Sequence, residues 1–147
     1  MYMIINTNHL DRCIATLESS LNLLQATPTD SIQYEVFRNA VVKGFELTLE
    51  TSGKLLRRAL KSYGGSPRNI DQLFYKDLLR HAGKHGLMDI DAVERWCAYR
   101  DNRNSTAHDY GQGFAEDTLK LLPSFIGDAR TLSSMLRERF SESNRDA

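Results

Sequence analysis

Apolar residues recur along most of the chain at three- and four-residue intervals, the spacing that puts side chains on one face of a helix. Leu10, Cys13, Ile14, Leu17, Leu21 and Leu24 form the first stripe, with Asn8 and Asp11 placed to cap its start. A turn is expected at Thr27-Pro28-Thr29. Asp30 then precedes a long helix with Gln33 at the capping-box position. Its stripe runs through Val36, Phe37, Ala40, Val41, Phe45 and Leu49 to Leu55, Leu56 and Leu60. Gly64-Gly65-Ser66-Pro67 ends that helix and opens a third, with Ser66 as cap and Pro67 in its first turn. The third helix carries Ile70, Leu73, Phe74, Leu78 and Leu79 and stops near Gly83–Gly86.

Asp89 or Asp91 opens a fourth helix through Ala92, Val93, Trp96, Cys97 and Tyr99. It runs into a polar stretch from Arg100 to Tyr110, where helix propensity falls, and Gly111 and Gly113 are expected to break the chain. A last helix takes Leu119, Leu122, Phe125, Ile126, Ala129, Leu132, Met135, Leu136 and Phe140. Pro123 should kink or interrupt it, because proline removes a backbone donor and crowds the preceding turn. No strand pattern or internal repeat emerges. The expectation is one all-α domain over residues 1–147, an antiparallel bundle of four or five helices with a frayed tail at 141–147.

Composition adds limits. Of the 147 residues, 41% are hydrophobic and 26% charged, which fits a water-soluble chain able to bury a core. No apolar run approaches the roughly 20 residues of a membrane span. The first residues lack the basic and apolar segments of a signal peptide, so a cytoplasmic protein is expected. Cys13 and Cys97 have no metal-ligand spacing and read as small buried thiols.

Lys plus Arg equals Asp plus Glu at 19 each, so net charge makes no case for nucleic acid. The local balance is uneven. Lys54, Arg57, Arg58, Lys61, Arg68, Lys76, Arg80 and Lys84 share their stretch with Asp71 and Asp77. Such a zone suits a phosphate backbone, or simply the solvated side of two helices.

Most catalytic signatures are absent, including phosphate-cradling glycine loops, zinc-binding His-Glu-x-x-His and nucleophile elbows. His81 and His85 lie at i, i+4, but no acidic or sulfur ligand accompanies them, so no metal site is assigned. Glu46 and Glu50 share a helix face and read as a solvated acidic patch.

The polar cluster is different. Arg103, His108 and Tyr110 place a permanent cation, a group that titrates near neutrality and a phenol within a few residues. Cleaving RNA without a metal needs a base for the 2′-hydroxyl, cationic help for the phosphorane and an acid for the leaving oxygen. His108 suits the first or last role and Arg103 the second. Five residues on an ideal helix rotate by about 140°, so the two would not point together. Either the helix loosens at Asn104-Ser105-Thr106, or catalytic groups come from two chains. On spacing alone a helix-end polar cluster with no chemistry is the commoner case.

From Arg103 to Tyr110 the chain resembles the Arg-x4-His-x-Tyr motif of HEPN toxins, with a polar Asn104 following the arginine. The likeness extends over roughly residues 8–140. Its landmarks are Phe45-Glu46 and Lys54 in the long second helix, Ser66-Pro67-Arg68-Asn69, Gly86-Leu87-Met88, and Trp96 ahead of the motif. Gly44 departs from it, standing where a larger, often basic residue is expected. The branch it resembles is the one once described as nucleotidyltransferase substrate-binding proteins.

The resemblance implies a dimerising bundle with a composite cleft and metal-independent endoribonuclease activity carried by Arg103 and His108, with no cofactor. It also implies that a cognate minimal nucleotidyltransferase antitoxin AMPylates Tyr110. Asn104, and more remotely Arg100 and Asp109, are candidate supporting or substrate-binding residues. Two other functions stay open: a non-catalytic nucleotide- or substrate-binding subunit of a nucleotidyltransferase, and a purely structural bundle subunit.

Overall fold

The computed structural model describes residues 4–64, 66–106 and 112–141, and within them six helices and no strand. These are α1 (Asn8–Gln25), α2 (Ile32–Lys61), α3 (Pro67–Gln72), α4 (Tyr75–Lys84), α5 (Ile90–Thr106) and α6 (Gln112–Arg139). The all-α expectation holds, with more helices than the four or five expected. The expected third helix is two, because Leu73 and Phe74 are extended, with ψ of 134° and 157°. Arg57 of α2 explains the break. Its guanidinium donates to the carbonyls of Ile70 at 2.8 Å and Leu73 at 2.7 Å, acceptors that a continuous helix would have used itself. Phe74, expected on the apolar stripe, is consequently 81% exposed.

Several local expectations shift by a residue or two. Thr7, not Asn8, caps α1, and its hydroxyl donates to Asp11. Ser31, not Asp30, caps α2 by accepting from the backbone N–H of Tyr34 at 3.1 Å. Asp89 is the residue that opens α5, its carboxylate accepting from Ala92 N–H at 2.7 Å. Gly86 ends α4 with a φ of +73°, a left-handed conformation that suits glycine.

Of the expected breaks around the last helix, the one at Gly111 lies outside the described residues. Gly113 lies inside the first turn of α6, and α6 passes through Pro123 without interruption. Pro123 is on the exposed side, where water can satisfy the carbonyl that the missing N–H leaves free.

Long α2 runs through the middle of the bundle and contacts all five other helices. Its buried stripe, including Val41, Phe45, Leu49, Leu56 and Leu60, meets Leu10, Ile14, Leu17, Leu21 and Leu24 of α1. Val36 and Ala40, expected in this stripe, are exposed instead. At the centre Phe45, Trp96, Tyr99 and Phe125 pack edge to face, with ring centroids 4.8 to 5.6 Å apart. Cys13 and Cys97 are free thiols, half-buried rather than buried. No helix among the described residues is long and apolar enough to cross a membrane.

Candidate functional site at the end of α5

The polar cluster begins inside a helix. α5 runs to Thr106, so Asn104, Ser105 and Thr106 keep helical backbone and the expected loosening at these residues does not occur. His108, Asp109 and Tyr110 lie outside the described residues.

Each residue in the last turns of α5 turns about 100° from the one before, so successive side chains meet different neighbours. The Arg100 guanidinium lies over the ring of Tyr75 from α4, 5.0 Å from its centroid. Asp101 pairs with Lys76 at 2.6 Å. Asn102 donates to the hydroxyl of fully buried Thr118 on α6 at 2.9 Å. Arg103 turns toward α2, where its Nε lies 3.9 Å from a carboxylate oxygen of Glu46. Asn104 is exposed. Three helices therefore hold the end of α5 and orient Arg103.

Glu46 was missed. Its four-residue spacing from Glu50 suggested a solvated patch, yet its side chain is only 13% exposed beside Arg103, while Glu50 faces solvent. Its only sequence signal was the family landmark Phe45-Glu46. The side chain of Arg103 is one-third exposed, and its Nε lies beside a carboxylate. An arginine in that setting can accept a phosphate.

Behind this end, Tyr75 locks α4 to α2. Its hydroxyl donates to the carbonyl of Leu49 at 2.8 Å, and its ring fills the space left by Gly53. Loss of water around the phenol pushes its pKa well above the ordinary value, against the lowering influence of Arg100 and Arg57. On the other side Tyr99 donates to Asp128 of α6 and meets the Ser124 hydroxyl, and Arg95 grips Asp128 through two 2.9 Å bonds. Burial, and then the bond to Asp128, push the Tyr99 phenol up to about 12.

The basic zone divides in two. Arg57 holds the α3–α4 break, Lys61 pairs with Asp71 at 2.8 Å, Lys76 with Asp101, and Arg80 with Asp77 at 2.9 Å. Lys54, Arg58, Arg68 and Lys84 are exposed. Half of the zone is thus structural. Gly44, the departure from the family pattern, lies against Leu17 of α1, where an added β-carbon would be 3.2 Å from the Leu17 side chain. It sits across α2 from Glu46 and permits a close α1–α2 approach.

Comparison with known proteins follows the same lines. The family model described as nucleotidyltransferase substrate binding protein like matches residues 6–138. The probable ribonuclease HepT of Haemophilus influenzae is 30% identical over 139 residues, covering 92% of this chain and 94% of that protein. A solved Haemophilus influenzae structure, described as the fold of a substrate binding domain of a nucleotidyltransferase, superposes with a TM-score of 0.77 at 29% identity. That match covers 90% of this chain and 99% of the other. The tri-AMPylated HEPN toxin of Shewanella oneidensis, solved in complex with MNT antitoxin, shares the fold with a TM-score of 0.63 at 13% identity. It covers 91% of this chain and 99% of that one. The helical bundle, the landmarks along it and these matches agree: the chain belongs to the nucleotidyltransferase substrate binding protein like family, the HEPN family that its arginine motif resembles.

Proposed function

We propose that this chain is the toxin of a toxin–antitoxin pair, a metal-independent endoribonuclease acting in the cytoplasm as a homodimer. The observation that carries this reading is the placement of Arg103, held beside Glu46 in the last turn of α5 with its side chain one-third exposed. The 30% identity to the probable ribonuclease HepT over nearly the whole chain supports it. In the reaction, a base takes the proton from an RNA 2′-hydroxyl and the oxygen attacks the neighbouring phosphorus. The bond to the 5′-oxygen breaks, and that oxygen receives a proton. Arg103 stabilises the charge on the phosphorane, and His108 of one or both chains carries the protons. Exposed Asn104 contacts substrate or orients Arg103. Arg100 and Asp109 support the site, Arg100 through its hold on Tyr75.

Tyr110 is the off-switch. A cognate minimal nucleotidyltransferase antitoxin transfers AMP to it, placing negative charge and bulk where RNA phosphate must bind. The test is growth of cells making the wild type or His108→Ala, with total RNA run on a gel. Arrest with RNA fragmentation by the wild type alone is the expected result. Healthy growth and intact RNA, with soluble protein present, would refute the nuclease.

A second reading is favoured by the family's own description: a non-catalytic subunit that binds nucleotide or substrate for a nucleotidyltransferase. It requires calorimetric nucleotide binding that Arg103→Ala abolishes, and no loss of RNA.

A further inference from the structure

Phe74 is the most exposed large apolar side chain among the described residues, at 81%. It stands in the extended link between α3 and α4, and α2 fixes that link on both sides of it. Just before Phe74, Arg57 holds the carbonyls of Ile70 and Leu73. Just after it, the Tyr75 ring is seated against Gly53 and its hydroxyl donates to the Leu49 carbonyl. Leu73 and Tyr75 are half-buried, and the ring between them faces out. Phe74 gives the core nothing, yet the fold holds its backbone firmly in place.

Its surroundings are basic. Lys54 and Arg58 flank Arg57 on α2, Arg68 lies in the first turn of α3, and all three are exposed. Among the described residues none of the three forms an ion pair. The neighbouring acids are already used, Asp71 by Lys61 and Asp77 by Arg80. A fixed aromatic face among free cations suits a nucleobase and the phosphates beside it. It suits a protein surface poorly, since charged residues are depleted at the centre of such interfaces. The link is also tied to the end of α5. The Arg100 guanidinium lies 5.0 Å from the centroid of the Tyr75 ring, and Arg103 follows three residues later beside Glu46. Glu46 precedes Gly53 by seven residues and Arg57 by eleven, so α2 spaces Arg103 from the link by about 10–16 Å.

We propose that Phe74 is the stacking platform of an RNA subsite, with Lys54, Arg58 and Arg68 on the phosphates beside the stacked base. The base lies about three to five nucleotides from the bond cut near Arg103, the length that spans the gap at about 3.4 Å per stacked nucleotide. This rests on the ribonuclease reading and makes single-stranded RNA its substrate class, because a base inside a duplex has no free face for the ring. Glu50, exposed one turn before Lys54, repels a phosphate at that height on α2. The strand therefore passes on the α5 side, where Arg100 lies over Tyr75.

The experiment titrates the full chain into a fluorescein-labelled, mixed-sequence RNA of about 16 nucleotides, 2′-O-methylated so that it cannot be cut, and reads anisotropy. Circular dichroism confirms that each variant is folded. Phe74→Ala and Phe74→Leu should each weaken binding at least about fivefold, while Phe74→Trp stays within about twofold of the wild type, because a stacking face is required and not apolar bulk. Lys54→Gln, Arg58→Gln and Arg68→Gln together should lower the salt slope of binding by about two. The same RNA annealed into a duplex should not distinguish Phe74→Ala from the wild type. Unchanged binding by Phe74→Ala, wild-type binding by Phe74→Leu, an unchanged salt slope or an equal loss on the duplex would overturn the subsite. So would a Phe74→Ala variant that binds RNA normally but no longer associates with a nucleotidyltransferase, since the ring would then belong to a protein contact. Cleavage of total RNA by the wild type is scored separately. Cleavage with indifferent Phe74 variants loses only the subsite, Phe74-dependent binding without cleavage loses only the ribonuclease, and a wild type that binds no RNA loses both.

Discussion

A β-carbon added at Gly53 would lie 2.6 Å from Cε2 of Tyr75, closer than real contacts allow. The glycine is thus a socket for a ring that carries Arg100 on its outer face and bonds Leu49 through its hydroxyl. Gly53→Ala must push that ring outward, and a loss of about 1–3 kcal/mol in urea unfolding is expected. Tyr75→Leu in the same background should remove most of the added penalty, because the clash goes with the ring. An unchanged midpoint for Gly53→Ala would show that α4 yields freely. Gly44 is milder. A β-carbon there would lie 3.2 Å from Cδ1 of Leu17, a contact that asks its neighbour to give by only a few tenths of an ångström. At the same scale, Glu46 and Glu50 differ only through what α5 brings to them. Their spacing says that they share a face, and nothing in it says that Arg103 will pack on one of them.

Between elements, the α5–α6 contact depends on Asp128. One carboxylate accepts from the Tyr99 hydroxyl and from two nitrogens of Arg95. Arg95 is 44% exposed, so its ion pair is screened by water and contributes little. The bond to Tyr99 matters more, since that residue is 1% exposed and packs against Trp96 and Phe125. Asp128→Ala, which removes the acceptor, should therefore cost about 1–3 kcal/mol, and Arg95→Ala less, by urea denaturation. Equal losses for the two variants would mean that the exposed pair, not the phenol, holds the helices. Arg57 does similar work across α2, α3 and α4. Its place in the sequence groups it with a basic surface, but in the fold it caps carbonyls at the helix break.

For the molecule as a whole, Tyr99 and Tyr75 tie stability to alkaline pH. Phenols in an unfolded chain titrate near 10, whereas Tyr99 is pushed up to about 12 and Tyr75 is also raised. Below about pH 10 both states keep these protons and stability is at its full value. Above it the unfolded chain releases protons that the folded chain retains, so stability falls between about pH 10 and 12. The Tyr99 part of that loss is on the order of 2–3 kcal/mol. Urea midpoints measured across this window should decline less steeply for Tyr99→Phe than for the wild type. Parallel declines would place the alkaline sensitivity elsewhere.

The helical class, the stripes of α1, α2 and α6, and the start of α5 near Asp89 were legible in the sequence, because burial of one helix face imposes its period on residue type. The arginine motif was legible for a different reason: its residues resemble a family whose model spans residues 6–138. Tertiary contacts decided the rest. The split between α3 and α4 comes from Arg57 reaching across from α2, and the continuity of α6 from Pro123 facing solvent. The exposure of Val36 and Ala40, and the pairing of Arg103 with Glu46, depend on which helices lie alongside α2. Periodicity reports how a helix is oriented about its own axis. Which neighbour fills each direction depends on contacts between residues far apart in the chain, and those form only when the bundle closes.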